Sequence, residues 1–476
     1  MNTEILAMGG YEISKCVRTG TYSATDVIET FLAQIEKLNS EINAFTTVTA
    51  DRALAEAGRV DDLLSNGVDP GPLAGVPFSA KNLFDIKGVV TLAGSRINAD
   101  NSPAARDATS VARLSAAGAI CLGATNMGEY AYDFTTTNSH YGPTRNPLDR
   151  DRSAGGSSGG SAASISAGFC KLSLGTDTNG SMRVPASFCG IWGLKPGYGR
   201  LSRAGSFPFV NSLDTIGIFG QSVQDLALTF DILNRADARD PVCREQSSEP
   251  VLPLLNKDTA SLRVARLDGY FTESLSGAVA AAVESVCVSI GVTELLELPS
   301  PELARSAAYL ITAAEGGCFH RDRLRSRAAD FDPATRARFI AGSLTPSSWY
   351  LQAQRFRSVW QSEMARIFED IDVLIAPTTP MTAPFLDGKT FTFRGKEVPL
   401  RPNIGVFTQP ITLIGLPVLA VPIVIPGQLP TAIQLITRSD NEQQLLQLAR
   451  KLEQSGICTP SLCLGEADMG QLALAK

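Results

Sequence analysis

Between residues 23 and 64 the apolar positions recur with a helical period. Val27, Phe31, Ile35 and Leu38 stand four, four and three residues apart, one stripe of an amphipathic helix. Ser23 and Asp26 precede the stripe at capping-box spacing, with Asp in place of the usual Glu or Gln. A second helix is predicted over 52–64. Beyond it the pattern changes to short apolar runs. The runs at 75–80 (ending on Lys81), 119–124, 169–174, 262–267, 372–376, 418–425 and 432–436 read as buried strands. Segments 110–117 and 445–453 read as helices, the latter followed by Gly456. Phe391 and Phe393 before Arg394-Gly395 predict a small surface hairpin. Helices alternating with short buried strands predict an α/β fold, a mixed central β-sheet covered by helices on both faces. No repeat, low-complexity tract or linker divides the chain. It reads as one domain over 1–476, with a helical segment over about 1–70 and a core over about 71–220 completed by 260–456.

Composition narrows the chemistry. Hydrophobic residues make up 44% and charged residues 19%, with 42 Lys+Arg against 48 Asp+Glu. The net charge of -6 carries no footprint for nucleic acid or anionic lipid. The apolar stretch 417–426 is short and broken by prolines, whereas a membrane span needs about 20 apolar residues. The opening MNTEILAMGG has neither the basic nor the apolar part of a secretory signal. Nine scattered cysteines without a CxxC read as thiols of a reducing cytosol, so the expected location is cytoplasmic. Only His140 and His320 are present, which excludes a His-rich metal site and directs attention to a nucleophile that needs no histidine. No metal or organic cofactor is expected.

Two Gly/Ser-rich segments stand out. Gly155 to Ser161 reads GGSSGGS, by composition a flexible linker. The small apolar run 162–167 after it points instead to a close-packed helix. Gly175 to Ser181 reads GTDTNGS and contains GxxxxG, but Ser181 stands where a phosphate loop has lysine. A third reading fits both segments. A serine in a glycine-rich turn after a strand is exposed to substrate, and backbone N–H groups around it can converge on an oxyanion. With histidine scarce, its base can be a lysine. Lys81, at the end of a buried strand, is placed to lose its proton near neutral pH, because burial disfavours an ammonium. Taken alone, it also reads as a surface lysine.

These segments resemble the amidase signature family: GGSSGGSAA at 155–163, GTDTNGSMRVPASFCGIWGLKP at 175–196 and GVPFSAKNLFDIKG at 75–88. NSHYGPTRNP at 138–147 and GLPVLAVP at 415–422 extend the similarity over nearly the whole chain. The resemblance implies an amidohydrolase that works through an acyl-enzyme. Ser181 is the implied nucleophile and Lys81 the implied base. Ser157, joined to Gly156 by a cis peptide bond, bridges them. The implied oxyanion hole is the backbone N–H groups of Thr178, Asn179, Gly180 and Ser181. Asp177 and Arg183 are expected to brace the loop and Ser158 to assist by hydrogen bonding. Asn179 departs from the glycine of many members.

TLAGS at 91–95, ITAAEGG at 311–317, SWYLQAQRFR at 348–357 and RPNIGVFTQP at 401–410 are similar to one branch of the family. That branch acts on small anionic ureido compounds such as 1-carboxybiuret. For a substrate carboxylate, Arg338 is the expected partner, and His140 is expected to hydrogen-bond a ureido carbonyl. His320 reads as packing. A broad-specificity amidase and a glutamine-hydrolysing amidotransferase component remain alternatives. The latter uses an acidic residue near its C-terminal TxP element, and residues 403–410 contain none. A homo-oligomer and a small helical partner subunit are also implied.

Overall fold

The structure is a computed structural model that describes residues 2–244 and 249–464. Among these residues one sheet has eleven strands. In chain order they are β1 (Phe45–Val48), β2 (Pro77–Lys81), β3 (Ile120–Thr125), β4 (Leu172–Asp177), β5 (Trp192–Lys195) and β6 (Thr215–Gly220). There follow β7 (Val264–Leu267), β8 (Leu295–Leu296), β9 (Val373–Pro377), β10 (Val418–Ile423) and β11 (Thr431–Thr437). The spatial order is β1-β3-β2-β4-β6-β5-β10-β11-β9-β7-β8. β2 runs parallel to β3 and β4, while β4 to β6, β6 to β5 and β10 to β11 are antiparallel. The expected mixed sheet with helices around it is therefore observed. β2, β3, β4, β6 and β9 are buried at every position, which explains why β2, β3, β4 and β9 read as apolar runs.

Ser23 caps helix α1 (Ala24–Ile42): its side chain accepts from Asp26 N, and Asp26 accepts from the Ser23 N–H. The stripe Val27, Phe31, Ile35 and Leu38 is buried against the sheet's core. The Arg394-Gly395 turn joins two strands, Thr390–Phe393 and Lys396–Pro399, as the sequence suggests; both turn residues have positive φ. One boundary differs. The strand expected over 169–174 runs over β4, so Gly175-Thr176-Asp177 is strand and not loop. The cause is pairing with β6, where Gly175, Thr176 and Asp177 face Gly217, Ile216 and Thr215.

This register determines what meets at the sheet's edge. Phe78, Ser79 and Ala80 face Leu172, Ser173 and Leu174 in parallel. Lys81 and the end of β4 therefore leave the sheet on the same side, and Asp214, just before β6, arrives there. The carboxyl ends of parallel strands are where open α/β sheets present their ligand sites. Three further helices contribute to that side: α2 (Pro301–Phe319), α3 (Pro333–Ser343) and α4 (Ser347–Asp370).

Ser23→Ala removes a cap in which both reciprocal bonds form, and is expected to cost about 1 kcal/mol. The check is a lower urea midpoint by circular dichroism; an unchanged midpoint would mean that the α1 terminus is held by packing alone.

Candidate active site

Lys81 is fully buried, and its Nζ donates to Ser157 Oγ at 2.7 Å and to Thr176 Oγ1 at 2.9 Å. Burial pushes its pKa down to about 7, against the pull of Asp214 and Asp177 in the other direction. A neutral amine at physiological pH can accept a proton. Ser157 lies just ahead of the buried helix Gly159–Ser166, after a cis Gly156–Ser157 bond. Glycine is required at 156 because a Cβ there would lie 2.7 Å from Thr135 N. The Ser158 hydroxyl donates to Thr176 O at 3.2 Å and accepts from Thr176 N at 3.3 Å.

The turn carrying Ser181 is built on a buried ion pair. Arg183 Nε and Nη2 each donate to one Asp177 carboxylate oxygen at 2.9 Å. Burial pushes the Asp177 carboxyl up, but the adjacent guanidinium outweighs it and holds the group below the usual carboxylate range. Arg183 Nη1 reaches Thr408 O at 3.0 Å and Gln434 Oε1 at 2.9 Å, and Nη2 also donates to Thr412 Oγ1. Asp177 and Arg183 thus brace the loop, as expected.

Asp177 Oδ1 also accepts from Gly180 N at 2.7 Å. The Gly180 N–H is thus committed to the brace, whereas the N–H groups of Thr178, Asn179 and Ser181 have no acceptor among the described residues. Gly180 has φ +134, and a Cβ there would lie 2.2 Å from Thr408 Oγ1. Asn179 is tied on both sides. Its Nδ2 donates to Thr312 Oγ1 at 2.8 Å, and its carbonyl accepts from Thr408 Oγ1 at 2.6 Å.

Ser181 lines a cleft with Thr178, Asn179, Thr312, Arg338 and Gln409. Tyr132, Asp133 and Phe134 form another wall. Arg338 stacks 4.3 Å over the Tyr132 ring and donates to Tyr132 O and Ala334 O. It is therefore brought to the cleft with Ser181, whereas its neighbours Arg325 and Arg327 pair with Asp322 and Asp330. His140 is engaged elsewhere: its Nε2 is 3.3 Å from Glu129 Oε1, in a cluster with Ser95 and Thr335. His320 is packed among aromatic rings, 4.1 Å from Tyr130 and 4.5 Å from Phe339, and burial pushes its pKa down to about 3. Sequence reasoning does not single out Thr176, Asp133, Thr312 or Gln409. Thr176, Thr312 and Gln409 lie within segments of the resemblance, whereas Asp133 has no local signal.

A comparison with protein families matches the amidase family model to residues 26–446. The chain belongs to the amidase family. It is a hydrolase of carbon–nitrogen bonds other than peptide bonds. It is 48% identical to AtzE, the 1-carboxybiuret hydrolase subunit of Pseudomonas sp. strain ADP, over 94% of this chain and 98% of that one. It is 35% identical to a glutamyl-tRNA(Gln) amidotransferase subunit of Carboxydothermus hydrogenoformans, over 95% of this chain and 98% of that one. A solved structure from a vestigial protein complex, reported for the origins of an s-triazine catabolic enzyme, superposes with a TM-score of 0.94 at 47% identity. The match covers 95% of this chain and all of that one. Among the described residues of this amidase, no helix is long and apolar enough to cross a membrane.

Arg183→Met leaves Asp177 as an uncompensated buried charge, a change that typically costs about 3–5 kcal/mol. Lower yield and a lower melting temperature are expected, with partial recovery in Asp177→Asn/Arg183→Met; a stable single variant would show that the pair is dispensable.

Proposed function

We propose that this amidase cleaves a small anionic ureido substrate, 1-carboxybiuret or a close relative, by acyl transfer to Ser181 with release of ammonia. The observation that carries the reading is the buried Lys81 Nζ, 2.7 Å from Ser157 Oγ, next to a turn in which the N–H groups of Thr178, Asn179 and Ser181 have no acceptor among the described residues and Ser181 lines a cleft. In this mechanism neutral Lys81 takes the Ser157 proton as Ser157 takes that of Ser181. Ser181 Oγ attacks the amide carbon, and the N–H groups of Thr178, Asn179 and Ser181 hold the oxyanion. One such donor is typically worth about 3 kcal/mol in the transition state. The proton returns through Ser157 to the departing nitrogen, ammonia leaves, and water attacks the acyl-enzyme along the reverse route. Every step uses side chains and backbone of this chain alone.

The substrate reading draws on Arg338, a fork of donors suited to a carboxylate, and on the similarity to the 1-carboxybiuret hydrolase of Pseudomonas. The glutamine reading is weaker. Gly405 occupies the stretch where an acid would hold an α-ammonium, and a Cβ there would lie 2.5 Å from the Phe134 ring. No room remains for a carboxylate side chain. His140, held 3.3 Å from Glu129 and outside the lining of the Ser181 cleft, is given no substrate contact in this reading. For assembly we propose a homo-oligomer with a small helical partner subunit. The support is that Leu303 and Trp349 are more than half exposed on α2 and α4 and that the similar Pseudomonas protein is itself one subunit of its enzyme.

An ammonia-release screen over 1-carboxybiuret, biuret, allophanate, oxalurate, L-glutamine and simple amides is expected to favour the first; a higher kcat/KM on glutamine would replace this reading. Ser181→Ala and Lys81→Ala are each expected to lose nearly all activity, while Ser157→Ala keeps a residue of it through a water relay.

The pH dependence has a definite sign. Below about 7 Lys81 is protonated and cannot accept, so kcat/KM falls on the acid side. Lys81→Arg is expected to be inactive at every pH, because a guanidinium keeps its proton. The acid limb should persist in His140→Ala; its disappearance there, with Lys81→Arg active, would move the base to histidine.

A further inference from the structure

Gln409 begins the one-turn helix Gln409–Thr412 and lies 4% exposed in the wall of the cleft that holds Ser181. Its side-chain oxygen is already assigned. Arg305 Nε donates to Gln409 Oε1 at 2.9 Å, while Arg305 Nη2 is anchored on Asn403 Oδ1 at 2.6 Å and Pro402 O at 3.2 Å. A guanidinium only donates, so its partner atom on Gln409 must be the carbonyl oxygen. The amide nitrogen then points away from Arg305, and it has no acceptor among the described residues. The cleft thus contains an oriented NH2 group with two protons to give and nothing in the described chain to receive them. A nearly buried donor of this kind favours ligands that bring an oxygen to it and disfavours those that bring a cation.

We infer that Gln409 is a specificity-determining residue whose Nε2 donates to a carboxylate or distal carbonyl oxygen of the substrate, with Arg305 as the positioning residue that fixes its orientation. The inference rests on Ser181 being the acyl acceptor. It assigns the anion preference to two separate donors, the charged Arg338 and the neutral Gln409. A neutral amide is the suitable second donor. It can bind either a carboxylate or a ureido carbonyl, and it adds no second positive charge to the cleft.

The test is a pair of short amides of opposite charge, anionic malonamate and cationic glycinamide, with kcat and KM measured for wild type, Gln409→Glu and Gln409→Met. Glutamate has the same shape and still accepts from Arg305, but it turns an oxygen toward the cleft. The malonamate/glycinamide ratio of kcat/KM is expected to fall by about 100-fold in Gln409→Glu, mostly through KM. In Gln409→Met only malonamate is expected to suffer, by about tenfold. Arg305→Met is expected to shift the ratio in the same direction and Arg305→Lys to restore most of it. A merely structural role lowers both substrates together, so a ratio within about threefold of wild type in the active variants overturns the assignment of Gln409. A normal ratio in Arg305→Met overturns the positioning role. Hydrolysis that persists in Ser181→Ala overturns the acyl-transfer reading itself, a separate outcome from either.

Discussion

The proposed chemistry depends on one lysine being buried where it cannot easily hold its charge. Among the described residues three lysines are fully buried, and burial lowers all three: Lys81 to about 7, Lys195 to about 7 and Lys171 to about 8. Desolvation alone therefore does not distinguish a base from a structural lysine. Their partners do. Lys171 reaches Leu6 O at 2.7 Å and Gln221 Oε1 at 2.9 Å, tying the N-terminal segment to the sheet, and Lys195 reaches Pro196 O at 2.9 Å. Of the three, Lys81 alone has a serine hydroxyl at hydrogen-bond distance, and the residue after that serine, Ser158, donates its N–H to Ser181 O at 3.4 Å. It does so because β2 is held between two parallel neighbours, which bring its end beside the end of β4.

A second constraint keeps the turn open for substrate. N–H groups that point into a cleft are a liability in a loop, which tends to collapse onto them. Here the Asp177 carboxylate takes two loop N–H groups, those of Gly180 and Met182, and Arg183 neutralises it. The N–H groups of Thr178, Asn179 and Ser181 are left without an acceptor among the described residues. Thr408 closes the back of the turn against Gly180, and any side chain at 180 would collide with it. The brace and the cleft thus share a backbone without competing for the same hydrogens.

Much of this is legible from the residues. The α1 cap, the buried strands and the hairpin at Arg394-Gly395 follow from local periodicity and turn chemistry, and the structure agrees. The strand end at Asp177 escapes a local reading because its extension comes from pairing with β6, some 40 residues later, which no local window contains. β5 and β6 escape it because glycines interrupt their apolar runs. The motifs bring Lys81, Ser157 and Ser181 together on the strength of resemblance, and the geometry adds the Lys81–Ser157 contact. Gln409, Thr408 and Gln434 are beyond reach. Each is an ordinary polar residue whose meaning comes from a partner 100 or more positions away, such as Arg305 or Arg183. The bond from the Gly180 N–H to Asp177 is beyond reach for the same reason, since it depends on how the Asp177 side chain turns.

The reach of Arg183 to Gln434 on β11 has a consequence for how the protein comes into being. A ribosome releases Lys81, Ser157 and Ser181 early, but the strand that steadies the turn emerges only near the end of synthesis. A nascent or truncated polypeptide holds all three side chains without the support that shapes the turn. The proposed competence is therefore acquired late, with the final long-range pairing of the sheet.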